Sequence, residues 1–217
     1  MELQYELVGV SKKYGPTEVL KDFNLKIEQG DMLAITGPSG SGKSTVLNLL
    51  GLIDSPNSGA IRILGVPAPK PHTAVANRYI RKHIGYLFQN YALIDDATVR
   101  KNLEIALFYS HKRQSRGQSI STALNHVELS GTENRRIYSL SGGEQQRIAI
   151  ARLLLKPCDI VLADEPTGSL DDDNRDIVIS LLHGLRDLGK TVVIATHDNA
   201  VAATCARQIA LPQRRVI

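Results

Sequence analysis

The first third of the chain alternates short apolar runs with turn residues. The runs LQYELVGV, VLKDFNLKI and DMLAIT are each bounded by Gly, Pro or Asp, which is typical of strands. The first two lie too close together for a crossover helix, so we expect them to pair antiparallel. After DMLAIT, a Gly- and Ser-rich stretch leads into an apolar helical segment at residues 44–52. Strand character returns in AIRILGV, at residues 60–66.

The middle of the chain, from about residue 98 to residue 156, changes to helical spacing. Apolar residues recur every three or four positions, which predicts amphipathic helices. The positions that carry this spacing are Val99, Leu103, Ala106, Leu107, Ile120, Leu124, Val127, Ile148, Ala151 and Leu155, with Arg152 on the last stripe.

The last third returns to strands that are apolar on both faces. DIVLAD and TVVIAT are typical of buried parallel strands, and a helix at residues 172–188 separates them. A short helix at residues 199–206 and a strand in RQIAL complete the pattern. This alternation predicts an α/β fold with a mainly parallel sheet, an N-terminal antiparallel β subdomain and an inserted α-helical subdomain. We expect one domain, residues 1–217, with its core at 1–89 and 157–217 and the helical subdomain at about 90–156.

Composition narrows the class of protein without naming a function. The chain has 217 residues, 42% of them hydrophobic, and a net charge of +4. No apolar stretch approaches the roughly 20 residues that cross a bilayer, and the N-terminus does not resemble a signal peptide. Cys158 and Cys205 have no metal-ligand spacing, so we expect them to be buried thiols in a cytoplasmic protein. The basic clusters at 78–83, 111–116 and 214–215 lack interleaved aromatic residues, so no nucleic-acid partner is expected.

The stretch GPSGSGKST after the third strand matches G-x-x-x-x-G-K-[ST], the phosphate loop of P-loop NTPases. Glycines let backbone N–H groups curl around phosphate oxygens, and the following helix adds positive potential. We expect Lys43 to reach the β- and γ-phosphates, Ser44 to meet Mg²⁺ and Thr45 to contact the α-phosphate. A plain linker would not need Lys and Ser at these positions. The residues expected to bind ATP are Gly37, Ser39, Gly40, Ser41, Gly42, Lys43, Ser44 and Thr45.

The strand IVLADEP ends in two adjacent carboxylates, Asp164 and Glu165. Ligands of open α/β sheets bind at the C-terminal ends of the strands, so both carboxylates are expected at the phosphate site. We expect Asp164 to hold Mg²⁺ and Glu165 to face an attacking water. The alternative is a helix N-cap, which would account for one carboxylate and not for both.

The segment SLSGGEQQR, at residues 139–147, precedes an apolar helix. With the phosphate loop and the Asp–Glu strand end, LSGGEQQR makes the chain resemble the ATP-binding subunits of ABC transporters. Further motifs occur in the order that this family shows. They are Tyr14 in KKYG, Gln89 in YLFQN, Asp171 in SLD and His197 in IATHD.

The resemblance implies an ATPase that works as a head-to-tail dimer holding two ATP molecules. Tyr14 would stack on adenine, Gln89 would sense Mg²⁺ or water, and His197 would contact the γ-phosphate beside the base Glu165. Ser141, Gly142 and Gly143 would bind the partner copy's ATP, and Asp171 would lie across the dimer seam. A membrane permease would be the second partner, which puts the chain on the inner face of the cell membrane.

Within this family the chain most resembles the group that serves macrolide, lipoprotein and bacteriocin export, and the related cell-division ATPase. One departure is NYALIDDATVRKN, where Asp95 and Asp96 replace a loop that is usually apolar or proline-bearing. This departure marks either a particular permease or neutral surface change. Four rivals remain open: an importer ATPase, a cassette that signals to a membrane partner without transport, an ABC ATPase of DNA repair or translation, and a small-molecule kinase.

Overall fold

The structure is a computed structural model that describes residues 2–108 and 116–212. Residues 111–115 of one predicted basic cluster, and the whole cluster at 214–215, lie outside these ranges. The strands are β1 (Leu3–Tyr14), β2 (Thr17–Glu28), β3 (Met32–Thr36), β4 (Ser58–Ile63), β5 (Val66–Pro67), β6 (Ile84–Leu87), β7 (Ile160–Asp164), β8 (Thr191–Thr196) and β9 (Arg207–Ala210). The helices are α1 (Lys43–Leu50), α2 (Ala74–His83), α3 (Val99–Leu107), α4 (Arg116–His126), α5 (Gly142–Leu155), α6 (Asp172–Asp187) and α7 (Asn199–Ala203).

Two sheets form the frame of the molecule, and their strand directions confirm the predicted fold class. One sheet is antiparallel, with strand order β2-β1-β4-β5, and includes the predicted pairing of the first two strands. The other has the order β6-β7-β8-β3-β9, and all its pairs are parallel. None of the helices in residues 2–108 and 116–212 is long and apolar enough to cross a membrane.

The parallel sheet is buried on both faces because its residues alternate between two apolar clusters. In β7, Val161 and Ala163 pack into a cluster with α3, α4, α5 and α6. Leu162, between them, packs into a second cluster with α1 and the antiparallel sheet. This two-sided burial explains why the strand sequence is continuously apolar.

Helix α5 is more buried than its predicted stripe indicates. Residues Ile148, Ala149, Ile150 and Ala151 are all fully buried, since α5 packs against α3, α4, α6 and β6 together. The predicted positions in α3 and α4 are buried as expected, among them Leu103 and Leu124.

Two local expectations are wrong, and one helix was not predicted. The strand expected over 60–66 breaks at Leu64 and Gly65, whose positive φ angles of 49° and 78° form the turn between β4 and β5. The helix expected over 199–206 ends at Ala203, where Thr204 and Cys205 donate to carbonyls three residues back. Helix α2 was not predicted, because residues 78–83 were interpreted only as a basic cluster. Ala76, Tyr79 and Ile80 nevertheless have helical spacing and pack into the second apolar cluster.

The N-terminus of α5 contacts the start of α6, and this contact positions the glycine pair of SLSGGEQQR. Ser141 caps α5 in a capping box with Glu144. A Cβ added at Gly143 would lie only 2.5 Å from Asn174 Cγ. The Asn174 amide cannot easily move, since Nδ2 donates to both carboxylate oxygens of Asp171 at 2.9 Å. Gly142 is different, because its added Cβ would meet the Tyr91 hydroxyl at 3.1 Å.

We therefore expect the two glycines to respond differently to alanine. Gly143→Ala should lower the free energy of unfolding by about 1–3 kcal/mol, because Asn174 has to leave its place between the two helices. Gly142→Ala should be nearly neutral, since it meets only the tip of a tyrosine. Urea denaturation of both variants measures the difference.

Asn174→Ala provides the control for this expectation. In that background the added methyl group has room, so Gly143→Ala should lose most of its cost. Equal shifts for Gly142→Ala and Gly143→Ala, or an undiminished shift in the Asn174→Ala background, would show that Asn174 does not decide the outcome.

Candidate nucleotide site

The phosphate loop joins β3 to α1 through left-handed backbone that glycine supplies. Gly37, Gly40 and Gly42 have φ angles of 148°, 77° and 107°. At Gly37 a Cβ would also lie 2.6 Å from Ser41 Oγ and 2.8 Å from the Leu211 carbonyl oxygen. Gly42 is the N-cap of α1 and provides no side chain, so the first N–H groups of α1 are not capped by one. An uncapped helix N-terminus is a favourable place for an anion.

Lys43 lies within this loop rather than in solvent. Its side chain is nearly buried, and Nζ donates to the carbonyl oxygens of Gly37 at 2.8 Å and Pro38 at 3.3 Å. Nζ also lies 3.4 Å from Glu165 Oε1. The ammonium therefore links the phosphate loop to the end of β7. The remaining loop residues divide by exposure: Ser39, Gly40 and Ser44 are exposed, and Ser41 and Thr45 are buried.

Asp164 ends β7 opposite the start of α1. Its Oδ1 accepts a hydrogen bond from Ser44 Oγ at 3.1 Å. Partial burial raises the pKa of Asp164, and the negative charge of Glu165 raises it further. The hydrogen bond from Ser44 and the positive charge of Lys43 lower this pKa, but the net shift is upward. A hydroxyl and a carboxylate thus meet as two oxygen donors beside the phosphate loop.

Glu165 takes a backbone conformation that is uncommon for a residue with a side chain. Its φ is 45°, and its N–H donates to the Ala195 carbonyl at 2.9 Å. Such left-handed residues cluster at functional sites. The side chain is mostly buried, and Oε2 lies 2.9 Å from His197 Nδ1. The His197 backbone N–H also donates to Oε2, at 3.3 Å.

Gln89 and Tyr14 lie on elements other than the phosphate loop and β7. Gln89 is exposed two residues beyond β6, and β6 pairs with β7 so that Leu87 is opposite Ala163. Tyr14 ends β1 and is 45% exposed, which leaves room for a stacked group. Burial raises the pKa of its hydroxyl, as does the hydrogen bond that it donates to Asp54.

The residues expected to contact the partner copy's ATP, here called the signature residues, lie elsewhere on the surface. Ser141 and Gly142 are exposed at the start of α5, and Asp171 is the N-cap of α6. Within residues 2–108 and 116–212, no hydrogen bond or ion pair joins them to the phosphate loop or to Glu165. The fold thus brings the loop, Asp164, Glu165 and His197 together and leaves the signature residues at a separate surface.

Several residues that support this site were not predicted from the sequence. Gln146 in α5 is almost fully buried, and its Nε2 donates to the carbonyl of Pro166, the residue after Glu165, at 2.6 Å. Its i, i+4 spacing from the buried Ile150 is a signal that could have predicted its burial. Asn174, Lys12 and Asp54 carry no comparable signal, because their roles depend on contacts between distant parts of the chain.

Comparison with known proteins identifies the family. Residues 20–168 match the family model described as ABC transporter. The chain is 41% identical over 217 residues to the macrolide export ATP-binding/permease protein MacB of Pectobacterium atrosepticum, covering 98% of this chain and 33% of that protein. The MacB protein of Escherichia coli is 42% identical over 222 residues, covering 100% of this chain and 34% of that protein. The chain thus spans about a third of the length of the curated relatives it matches.

Solved structures agree with this result. The dimeric structure of MJ0796, a bacterial ABC transporter cassette, is 37% identical with a TM-score of 0.86, and the match covers 95% of this chain and 94% of that one. The same cassette in a dimeric post-hydrolysis state bound to ADP and Pi gives a TM-score of 0.85 with the same identity and coverage. The family match, the similarity over the whole of this chain and the fold together show that this chain belongs to the ABC transporter family, as an ATP-binding cassette.

Proposed function

We propose that the chain binds and hydrolyses ATP as one half of a head-to-tail dimer and so powers export through a membrane permease. The observation that carries the proposal is the convergence of Lys43 and His197 on the two carboxylate oxygens of Glu165, beside the phosphate loop. We also propose that residues 1–89 and 157–217 form the nucleotide-binding core and that residues 90–156 form the helical subdomain with the signature segment.

The phosphate loop would hold the triphosphate through backbone N–H groups and one cation. The left-handed glycines open the loop, and the N-terminus of α1 offers N–H groups that no side chain caps. Lys43 can exchange its bonds to the Gly37 and Pro38 carbonyls for phosphate oxygens. Charge-assisted bonds to phosphate are stronger than those to a neutral carbonyl, which favours this exchange.

The residues at the end of β7 fit Mg²⁺. The ion prefers oxygen ligands and keeps one or two protein ligands beside phosphates and waters. Ser44 Oγ and Asp164 Oδ1 lie 3.1 Å apart and are oxygen donors of this kind. We propose that they hold Mg²⁺, directly or through water, with Gln89 as a further ligand. The bound ion would neutralise charge on the β- and γ-phosphates.

Glu165 would act as the base. Its carboxylate accepts the proton of a water that attacks the γ-phosphorus, and ADP leaves with the bridging oxygen. Positioning of the nucleophile and compensation of charge supply most of the rate enhancement in phosphoryl transfer. His197 would hold the carboxylate and contact the γ-phosphate, while Lys43 balances its charge.

The second half of the site would come from the partner copy. Ser141 and Gly142 are exposed, and with the buried Gly143 they form a helix start that is suited to a phosphate and separate from the chain's own phosphate loop. The dimeric cassette structures support its use by the ATP of another copy. Asp171, which caps α6 next to this start, would lie at the same seam.

Glu165→Gln tests the base. The amide retains a hydrogen-bonding side chain of the same size but cannot take the proton, so hydrolysis should fall by about two or more orders of magnitude while ATP still binds. The ATP-bound variant should then accumulate as a dimer. Phosphate release and size-exclusion chromatography with light scattering measure the two effects.

A second substitution separates the partner contact from nucleotide binding. In the Glu165→Gln background, Ser141→Ala should weaken the ATP-dependent dimer and leave the affinity of the monomer for ATP unchanged. Asp187→Asn, which alters an exposed carboxylate at the end of α6, is the control. Wild-type hydrolysis by Glu165→Gln would reject the base, and lower ATP affinity in the Ser141→Ala monomer would reject the contact in trans.

A groove beside the nucleotide site is the proposed contact for the permease. Its volume is about 340 Å³, and its walls come from α2, β6, α3 and α5. Ile53, Phe88 and Ile105 are exposed apolar residues in its lining, and Arg152 and Lys156 add cationic groups. Exposed apolar residues of this kind mark contact sites for other proteins. Through this contact the chain would lie on the cytoplasmic face of the membrane.

The names of the relatives support export as the direction of transport, and we propose a drug-like, peptide or lipoprotein substrate for the complete transporter. The loop that precedes α3 and contains Asp95 and Asp96 would then help to select the permease. Asp95 and Asp96 are exposed, and their carbonyls accept hydrogen bonds from Tyr138 and Arg136. The backbone of the loop is therefore fixed without the two carboxylates.

Replacement of both carboxylates by amides should change only the charge of this loop. We expect Asp95→Asn with Asp96→Asn to reduce permease-stimulated ATP hydrolysis several-fold, without change in the hydrolysis of the isolated chain. The assay compares the chain alone with the chain bound to its permease in lipid nanodiscs. The control pair is Glu128→Gln with Asp187→Asn, on other surfaces. Unchanged stimulation in the loop variant would show that the two carboxylates are neutral.

A further inference from the structure

Lys12 and Tyr14, both in β1, form one polar network with Asp54, which follows α1. Asp54 Oδ2 accepts a hydrogen bond from the Tyr14 hydroxyl at 2.6 Å. Asp54 Oδ1 lies 2.6 Å from the Lys12 ammonium, which also donates to the Ser55 carbonyl at 2.8 Å. The network therefore ties β1 to the turn that follows α1.

The Asp54 carboxylate is itself held in place by backbone. The Asp54 N–H donates to the Asn48 carbonyl within α1 at 3.2 Å, and the Ser55 N–H donates to Asp54 Oδ1 at 2.7 Å. Leu52, with a φ of 56°, reverses the chain so that this turn can form. Because α1 begins at the phosphate loop, a single element connects the loop to the carboxylate that binds Tyr14.

Lys12 covers one face of the Tyr14 ring. Its side chain is nearly buried, and Nζ lies 4.9 Å from the centroid of the ring. An ammonium over one ring face is a favourable contact with the aromatic system. A planar base can therefore stack only on the other face.

The network is ionic as well as hydrogen-bonded. Burial raises the pKa of the Asp54 carboxyl, but the hydrogen bonds from Lys12 and Tyr14 outweigh this effect, so the pKa lies below its usual value. Asp54 is thus charged at neutral pH and accepts a charge-assisted hydrogen bond from the tyrosine.

We propose that Asp54 is a positioning residue for the nucleobase, acting through the Tyr14 hydroxyl. This inference rests on the proposed function, in which Tyr14 stacks on adenine. The carboxylate fixes the ring in one orientation and at a set distance from the phosphate loop, with Lys12 behind it. A ring that is already immobile loses less entropy when a base stacks on it, so the contact gains affinity for the base and not for the phosphates.

The test compares ligands with and without a base. ADP and pyrophosphate both occupy a phosphate loop and neither is consumed, so titration calorimetry of the full chain gives equilibrium affinities. Asp54→Ala should raise the Kd for ADP about 3- to 10-fold, the range of the net contribution of one ordinary hydrogen bond. Its Kd for pyrophosphate should stay within about twofold of wild type. Tyr14→Phe, which removes one oxygen, should give the same pattern.

The double variant distinguishes positioning from a structural role. If Asp54 acts through the hydroxyl, Asp54→Ala in the Tyr14→Phe background should raise the Kd for ADP no further than either single substitution does. Glu6→Ala is the matched control, since it also removes a carboxylate that pairs with a lysine on the same sheet. Its Kd for both ligands should equal that of wild type.

Several results would overturn the inference. They are equal losses of ADP and pyrophosphate affinity in Asp54→Ala, multiplied effects in the double variant, or an unchanged Kd for ADP. A wild-type chain that binds ADP no more tightly than pyrophosphate would reject the base contact of Tyr14 as well. The proposed hydrolysis would fail separately, in the Glu165→Gln experiment, which does not depend on Asp54.

Discussion

Parallel pairing of β3, β7 and β8 is the constraint on which the nucleotide site depends. The register places Ile35 and Asp164 opposite Ala195, so the three strands end at nearly the same level. Each then continues into a loop at one edge, which begins with Gly37, Glu165 or His197. The Glu165 N–H extends this alignment through its bond to the Ala195 carbonyl. Residues more than a hundred positions apart therefore meet because their strands share a sheet edge.

Helix α5 connects the parallel sheet to the helices between β6 and β7. Its middle is buried on all sides, which fixes the helix against the sheet and against α6. At its N-terminus, Gly143 leaves space for Asn174, and Gln146 binds the carbonyl after Glu165. The surface proposed for the partner's ATP is thus tied to the loop that carries Glu165. The two adjacent glycines are therefore needed for different reasons. Gly142 leaves backbone exposed, and Gly143 allows α5 and α6 to approach each other.

Most of the site could be predicted because its residues occur in motifs with fixed local geometry. The phosphate loop follows from a strand, a helix and glycines in the correct positions, and Asp164 and Glu165 follow from a strand that ends in carboxylates. Helix α2 was not predicted, because its short apolar stripe of Ala76, Tyr79 and Ile80 lies among basic residues. Asn174 and Asp54 could not be predicted either, because each takes its role from a contact with a residue about 30 or 40 positions away in sequence.

The sequence by itself determined the alternation of buried strands and helices, the phosphate loop and the family that the motifs resemble. These follow from hydrophobic periodicity and from local backbone requirements, which act over a few residues. Only the tertiary structure decided that Lys43 and His197 converge on Glu165, that Asp54 and Lys12 hold the Tyr14 ring, and that the signature residues lie apart from the chain's own phosphate loop. These contacts depend on strand register and helix packing. They join segments that are distant in sequence, and the local sequence of one segment does not show which other segment it will contact.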